Sequence, residues 1–162
     1  MKVLGIDPGT ATTGYGVLEQ VAGKAQLLEY GTINTSAKTS MPQRLWHIHQ
    51  EVNGLLTVHK PDVVVVEEIF YFKNAKTIVT VAQGRGVILL AAAAAGVAVA
   101  EYTPLQVKQA VVGYGQADKR QVQLMVQKLL NMKEMPRPDD AADALAIAIC
   151  HLHFYRMQSY SN

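Results

Sequence analysis

Four carboxylates stand where a folded chain should tolerate charge badly. Asp7 ends the apolar run Val3-Leu4-Gly5-Ile6, and Glu67 ends Val63-Val64-Val65-Val66. Asp143 lies inside Ala141-Ala142-Asp143-Ala144-Leu145-Ala146-Ile147, with Asp140 three residues before it. A buried carboxylate must be paired, hydrogen-bonded, protonated or bound to a metal. Asp140 and Asp143, at a three-residue spacing, share one helix face and can reach a common cation. Asp7 and Glu67 fall at the C-terminal ends of strands, the edge where α/β sheets usually place ligands. Hard oxygen donors of this kind suit Mg²⁺ or Mn²⁺, and paired ions roughly 3.5 to 4 Å apart form the usual clamp for phosphodiester hydrolysis.

Simpler roles compete with that chemistry. Asp139 suits a helix cap, which leaves it out of the site, and Asp7 before Pro8-Gly9 suits an ordinary turn. Glu68 rivals Glu67, but adjacent residues on a strand point to opposite faces, so only one can join a cluster. Capping does not explain Asp143, a turn into an apolar helix.

The elements that must position these groups can be read in order. Lys2 to Asp7, Gly14 to Glu19 and Ala25 to Asn34 read as three strands joined by short turns, an antiparallel meander. Leu45, Ile48, Val52, Leu55 and Leu56 recur at helical spacing between Met41 and His59, with Ser40 and Pro42 as start signals. Val63 to Val66 is a β-branched run without polar alternation, as expected of a strand covered on both faces. A helix over Asn74 to Ala95, a strand over Val97 to Tyr102 and helices over Pro104 to Val112 and Lys119 to Leu130 follow, with a last helix from Pro138-Asp139-Asp140 to about Phe154. The order β-β-β-α-β-α-β-α-α-α predicts a mixed five-stranded sheet with helices on its faces. Residues 1–156 then form a single domain, and 157–162 a frayed tail.

Composition agrees with one globular unit: 162 residues, 49% hydrophobic and 17% charged, are enough to fill a core and exclude bulk disorder. The single Cys150, in an apolar run, reads as a buried thiol in a reducing compartment. The longest apolar run, Val87 to Ala100, has 14 residues against the roughly 18 to 20 of a membrane span, and the N-terminus carries no secretory pattern. A cytoplasmic protein without a membrane segment is expected. Net charge is only +2, yet Lys73 to Arg137 holds nine Lys or Arg against Glu101, Asp118 and Glu134, a local +6. That excess fits either a polyanion-binding face or ordinary solvated helix faces. His47 and His49, like His151 and His153, are two apart on helices and do not face one site, which argues against zinc.

The same residues carry a resemblance to the RuvC family of Holliday junction resolvases along nearly the whole chain. Its stations are Leu4-Gly5-Ile6-Asp7-Pro8-Gly9, Thr13-Gly14-Tyr15-Gly16-Val17, Val66-Glu67-Glu68-Ile69-Phe70, Lys73-Asn74-Ala75, Gln106-Val107-Lys108-Gln109, Val111-Val112-Gly113 and Asp140-Ala141-Ala142-Asp143-Ala144-Leu145-Ala146-Ile147-Ala148. The resemblance implies an α/β, RNase H-like fold and a Mg²⁺-dependent endonuclease with two ions per site, Mn²⁺ being a substitute. It puts the catalytic and metal-binding carboxylates on Asp7, Glu67, Asp140 and Asp143. Asp139 lengthens the acidic run, but the Ala-Ala spacing to Asp143 favours Asp140. Two divalent ions on those four groups would leave the rest of the chain at +6 toward DNA.

The implied substrate is a four-way DNA junction, nicked in two opposed strands by a homodimer, with a branch-migration helicase complex as a further partner. Phe70 matches an aromatic placed to wedge the crossover, and it leads into Tyr71, Phe72, Lys73 and Lys76, a basic and aromatic patch suited to stacking and phosphate contact. Tyr71 and Phe72 suit the core equally well. Lys108 and Lys119 match basic positions facing DNA, and Arg85 is a further candidate. A one-site domain cuts two equivalent strands by pairing across a two-fold axis. The helix from Ala75 to Ala95, with Val79, Ala82, Gly86, Leu89 and Leu90, offers the interface, against plain core packing. Another RNase H-like nuclease with a hybrid or other branched substrate, and a junction-binding protein without chemistry, are the alternatives.

Overall fold

The computed structural model describes residues 1–69 and 75–160, and the side chains of all of these except 75, 76 and 158–160. Among them the order is β1 (Lys2–Asp7), β2 (Thr12–Val21), β3 (Lys24–Asn34), α1 (Met41–His59), β4 (Val63–Glu67), α2 (Ala75–Ala94), β5 (Ala98–Tyr102), α3 (Pro104–Val112), α4 (Lys119–Leu129) and α5 (Asp139–Tyr160). The sheet runs β3-β2-β1-β4-β5. β1, β2 and β3 pair antiparallel, while β4 and β5 extend the sheet in parallel with β1. This is the mixed five-stranded sheet that the element order predicts.

Local chemistry explains the joints. The β2–β3 turn is Ala22-Gly23, both at positive φ (49° and 77°), the two-residue hairpin geometry whose twist matches that of the strands. Asp118 Oδ1 accepts from Gln121 N and Gln121 Oε1 accepts from Asp118 N, both at 2.8 Å, a reciprocal cap that starts α4.

Alternation along the strands separates two cores. Val3, Leu18, Val63 and Val65 pack with α3, α4 and α5 on one face, and Leu4, Ile6, Val17, Val64 and Val66 with α1 and α2 on the other. Helices therefore cover both faces. α5 crosses β1 and β2 over a strip of glycines: a Cβ on Gly5 would meet the Ala144 carbonyl oxygen at 2.3 Å, and one on Gly16 would meet Leu145 Cδ2 at 2.5 Å.

Two elements differ by more than one residue from the sequence expectation. β2 reaches from Thr12 to Val21 because β3 pairs with it along that whole length. β4 ends at Glu67 as expected, paired there with Tyr102 on β5. α5 passes Phe154 and continues to Tyr160, so residues 157–160 are helical rather than a frayed tail. No Gly or Pro follows Phe154 to stop it, and the rings of His151 and Tyr155 stack one turn apart at 6.4 Å. By length and composition Thr77–Ala94 in α2 would suit a bilayer, a test that core helices also pass; Ile88, Ala91 and Ala92 of α2 lie in the second core.

Candidate active site

The strand parity that separates the cores also aims the acids. Val3 and Gly5 face α5, so Asp7, two residues on, leaves β1 on that face; Val63 and Val65 set the same direction for Glu67 on β4. β1 and β4 are parallel neighbours with Ile6 opposite Val66, which puts Asp7 beside Glu67 at one edge of the sheet. Glu68 lies beyond the strand, its N–H donating to the Tyr102 carbonyl at 2.9 Å.

The other two acids arrive on α5. Gly14 pairs with Asp7 across the β1–β2 ladder, and a Cβ there would stand 1.9 Å from the Asp140 carbonyl oxygen. Only a glycine lets the first turn of α5 settle against β2 at that point, and this brings Asp140 and Asp143 to Asp7. Burial first, then the charges of Asp143, Glu67 and Asp140, raise the Asp7 carboxyl from 3.8 to about 8, with Lys119 opposing. Burial also raises Asp143, again against Lys119.

Beside the acids lies a cleft of about 260 Å³ lined by Glu67, Asp143, Lys108, Lys119 and the apolar Pro104, Val107, Val122 and Ala146. Asp140 opens on a neighbouring depression with Arg120 and Arg137. Lys119 Nζ lies 3.3 Å from Asp139 and 3.5 Å from Asp143. Burial opposes its charge, but Asp143 and Asp139 more than offset this and hold the ammonium above its ordinary range. Asp139 is not the helix cap: the Pro138 carbonyl accepts from the Ala141 and Ala142 N–H groups, and the Asp139 side chain turns to Lys119 and Gln123.

Two other residues lie away from the cleft and from the exposed side of α2. Arg85 is not brought to the cleft: its Nη2 lies 2.5 Å from Glu101 Oε1. Glu101 leaves β5 on the α2 side, opposite to Ala100 and Tyr102, which pack toward α5. Leu89 packs against the second core, whereas Val79 and Leu90 stand 59% and 62% exposed. Phe70, Tyr71, Phe72 and Lys73 lie outside the described residues, as does the side chain of Lys76. The Gln123–Asp139 contact and the strip of Gly5, Gly14 and Gly16 escaped the sequence reading; glycines inside strands were the available signal for close backbone approach.

Among the described residues no three His, Cys, Asp or Glu side chains are drawn together tightly enough to chelate one ion. The donor set nevertheless fits a hard divalent cation: it is all oxygen, it surrounds Asp7, and it has already drawn a cationic group, the Lys119 ammonium, to its rim.

A mixed sheet in this order, with helices on both faces, is the RNase H-like fold. Comparison with known proteins narrows this. Residues 3–151 match the model of the family described as crossover junction endodeoxyribonuclease RuvC, and the chain belongs to that family. It is 67% identical over 160 residues to the crossover junction endodeoxyribonuclease RuvC of Syntrophomonas wolfei, covering 99% of this chain and 93% of that one. The Thermus thermophilus RuvC structure superposes with a TM-score of 0.92 at 42% identity, over 98% of this chain and 97% of that one. The same protein in complex with Holliday junction substrate gives 0.89 at 40% identity, over 97% and 96%. A yeast mitochondrial Holliday junction resolvase, 16% identical with a TM-score of 0.71, shares the fold. Membership of the RuvC family supports a nuclease over a junction-binding protein without chemistry.

Proposed function

We propose that the chain resolves four-way DNA junctions, with Asp7, Glu67, Asp140 and Asp143 as catalytic carboxylates that hold two divalent cations, Mg²⁺ with Mn²⁺ as a substitute. The observation that carries this reading is the gathering of Glu67, Asp140 and Asp143 around Asp7, half-buried at the end of β1. Held by these four carboxylates, two such ions would supply a water activated for in-line attack on the scissile phosphorus and would neutralise charge on the departing 3′ oxygen. The products are a 5′ phosphate and a 3′ hydroxyl, ends that a ligase can seal. Asp7 and Glu67 provide the rigid half of the donor set from paired strands, and Asp140 and Asp143 the half carried by α5. Lys108 and Lys119, on the cleft wall, neutralise backbone phosphates and fix the strand without reading its sequence. Phe70, Lys73 and Lys76 serve the crossover by stacking and phosphate contact.

Two equivalent strands call for two sites, and α2 supplies the pairing surface. Val79, Ala82, Gly86, Leu90 and Ala93 are exposed at spacings of three or four residues, one apolar stripe along the helix. Residues 1–156 act as a single nuclease domain in the cytoplasm, where a branch-migration helicase complex would deliver the junction.

The test is Asp7→Asn on a labelled mobile four-way junction. Nicking should be lost while junction binding persists, because the carboxylate serves the metal and the basic wall serves the DNA. Substantial Mg²⁺-dependent nicking by the variant would overturn the assignment.

A further inference from the structure

Lys119 is shared between two carboxylates of different standing. Its Nζ is 3.3 Å from Asp139 Oδ2 and 3.5 Å from Asp143 Oδ2. Asp139 is itself anchored, its Oδ1 accepting from Gln123 Nε2 at 2.9 Å. Lys119 and Gln123 are four residues apart on α4 and so lie on one face, one turn from each other. A single carboxylate at the start of α5 thus grips the first turn of α4 at two points. Asp143 lines the cleft with Lys119, whereas Asp139 does not. The ammonium occupies a position from which it competes with any other cation for Asp143.

We propose that Asp139 is a positioning residue for Lys119: it tethers the ammonium at the mouth of the cleft, so that Asp143 can exchange the lysine for a divalent cation without releasing Lys119 from the site. This rests on the assignment of Asp143 as a metal ligand. A lysine paired with Asp143 alone would have two poor alternatives. It could hold the carboxylate against the cation, or let go and disperse over the many rotamers of its flexible stem. With Asp139 fixed by Gln123, the stem keeps one end point through the exchange. Lys119 and Asp139 are 54% and 62% exposed, so the tether is a solvated ion pair with effects of a few-fold. The same exposure means that substitutions at either position leave the core untouched.

Mn²⁺ binding to the full chain without DNA, followed by electron paramagnetic resonance, reads the exchange. Lys119→Met should tighten binding about 2- to 5-fold by removing the competitor. Asp139→Asn should weaken it by a similar factor, since the lysine then leans on Asp143, and Asp139→Glu should restore it. In the Lys119→Met background the loss from Asp139→Asn should be smaller than in the parent chain, the non-additivity expected if one acts through the other. Nitrogen-15 NMR of the Lys119 ammonium checks the tether without metal: its pKa should fall in Asp139→Asn. Equal losses in both backgrounds, or an ammonium indifferent to Asp139, would overturn the tether. Mn²⁺ binding indifferent to Lys119 would overturn the exchange alone, whereas no Mn²⁺ binding by the parent chain would overturn the metal assignment and the exchange with it.

Discussion

Asp7 and Gly14 face each other across the β1–β2 ladder, and the space above Gly14 is filled by the backbone of Asp140. The missing side chain of one strand residue therefore fixes how close an acid on α5 comes to an acid on β1. Gly14→Ala should push the first turn of α5 away, at a cost of about 1 to 3 kcal/mol for overpacking. Nicking by the folded fraction should fall well beyond what thermal melting explains. Unchanged activity in a destabilised variant would show that the spacing of the acids is not set here.

Glu67 and Glu68 form a matched pair for testing register. Glu67 leaves β4 on the α5 face, and Glu68 follows beyond the strand. Outer-shell partners of metal ligands typically cost about 10- to 100-fold when removed, so Glu67→Gln should lose at least that much nicking, and Glu68→Gln little. The reverse result in the same assay would put the strand register off by one.

Asp7 predicts an unusual pH dependence in metal-free protein. Its folded pKa, about 8, lies above the ordinary 3.8, so the folded state holds the proton longer than the unfolded state does. The stabilisation is complete below about pH 4 and is lost as pH rises through 8. Melting in the presence of a chelator should therefore drop across that window, and Asp7→Asn should flatten the drop and melt several degrees higher at pH 8. A parent chain whose melting temperature is level from pH 4 to 8 would contradict it.

The stripe on α2 makes a separable prediction. Leu90 is 62% exposed, so Leu90→Glu should spare the fold while placing a charge at the pairing surface. Sedimentation should shift from dimer toward monomer, and paired nicks should decline relative to single ones. A variant that sediments as the parent does would remove α2 from the interface.

Where the chain's own periodicity decides a structure, the sequence was legible. The element order and the two faces of β4 follow from local patterns, whereas the choice of Glu67 over Glu68 came from the family resemblance. The grouping of Asp7, Glu67, Asp140 and Asp143 also follows from local patterns, because charge in an apolar run needs a cause. What escaped were pairings between residues distant in the chain: Arg85 with Glu101, and Lys119 with Asp139. A solvated cation has the same local signature whether it meets a phosphate or a neighbouring acid, so the basic excess alone could not separate them. Asp139 misled for a related reason: Asp at a helix start suits a cap, and only the position of α4 shows where its oxygens go.

The placement of α5 has a consequence for synthesis. This last helix covers the β1 and β2 face and brings two of the four acids. A nascent chain that has not yet released residue 139 from the ribosome has neither a closed core on that face nor half of its donor set. A chain cut short before residue 139 therefore leaves that face of the sheet uncovered and lacks Asp140 and Asp143, so a partly made product carries the basic wall without two of the acids beside it.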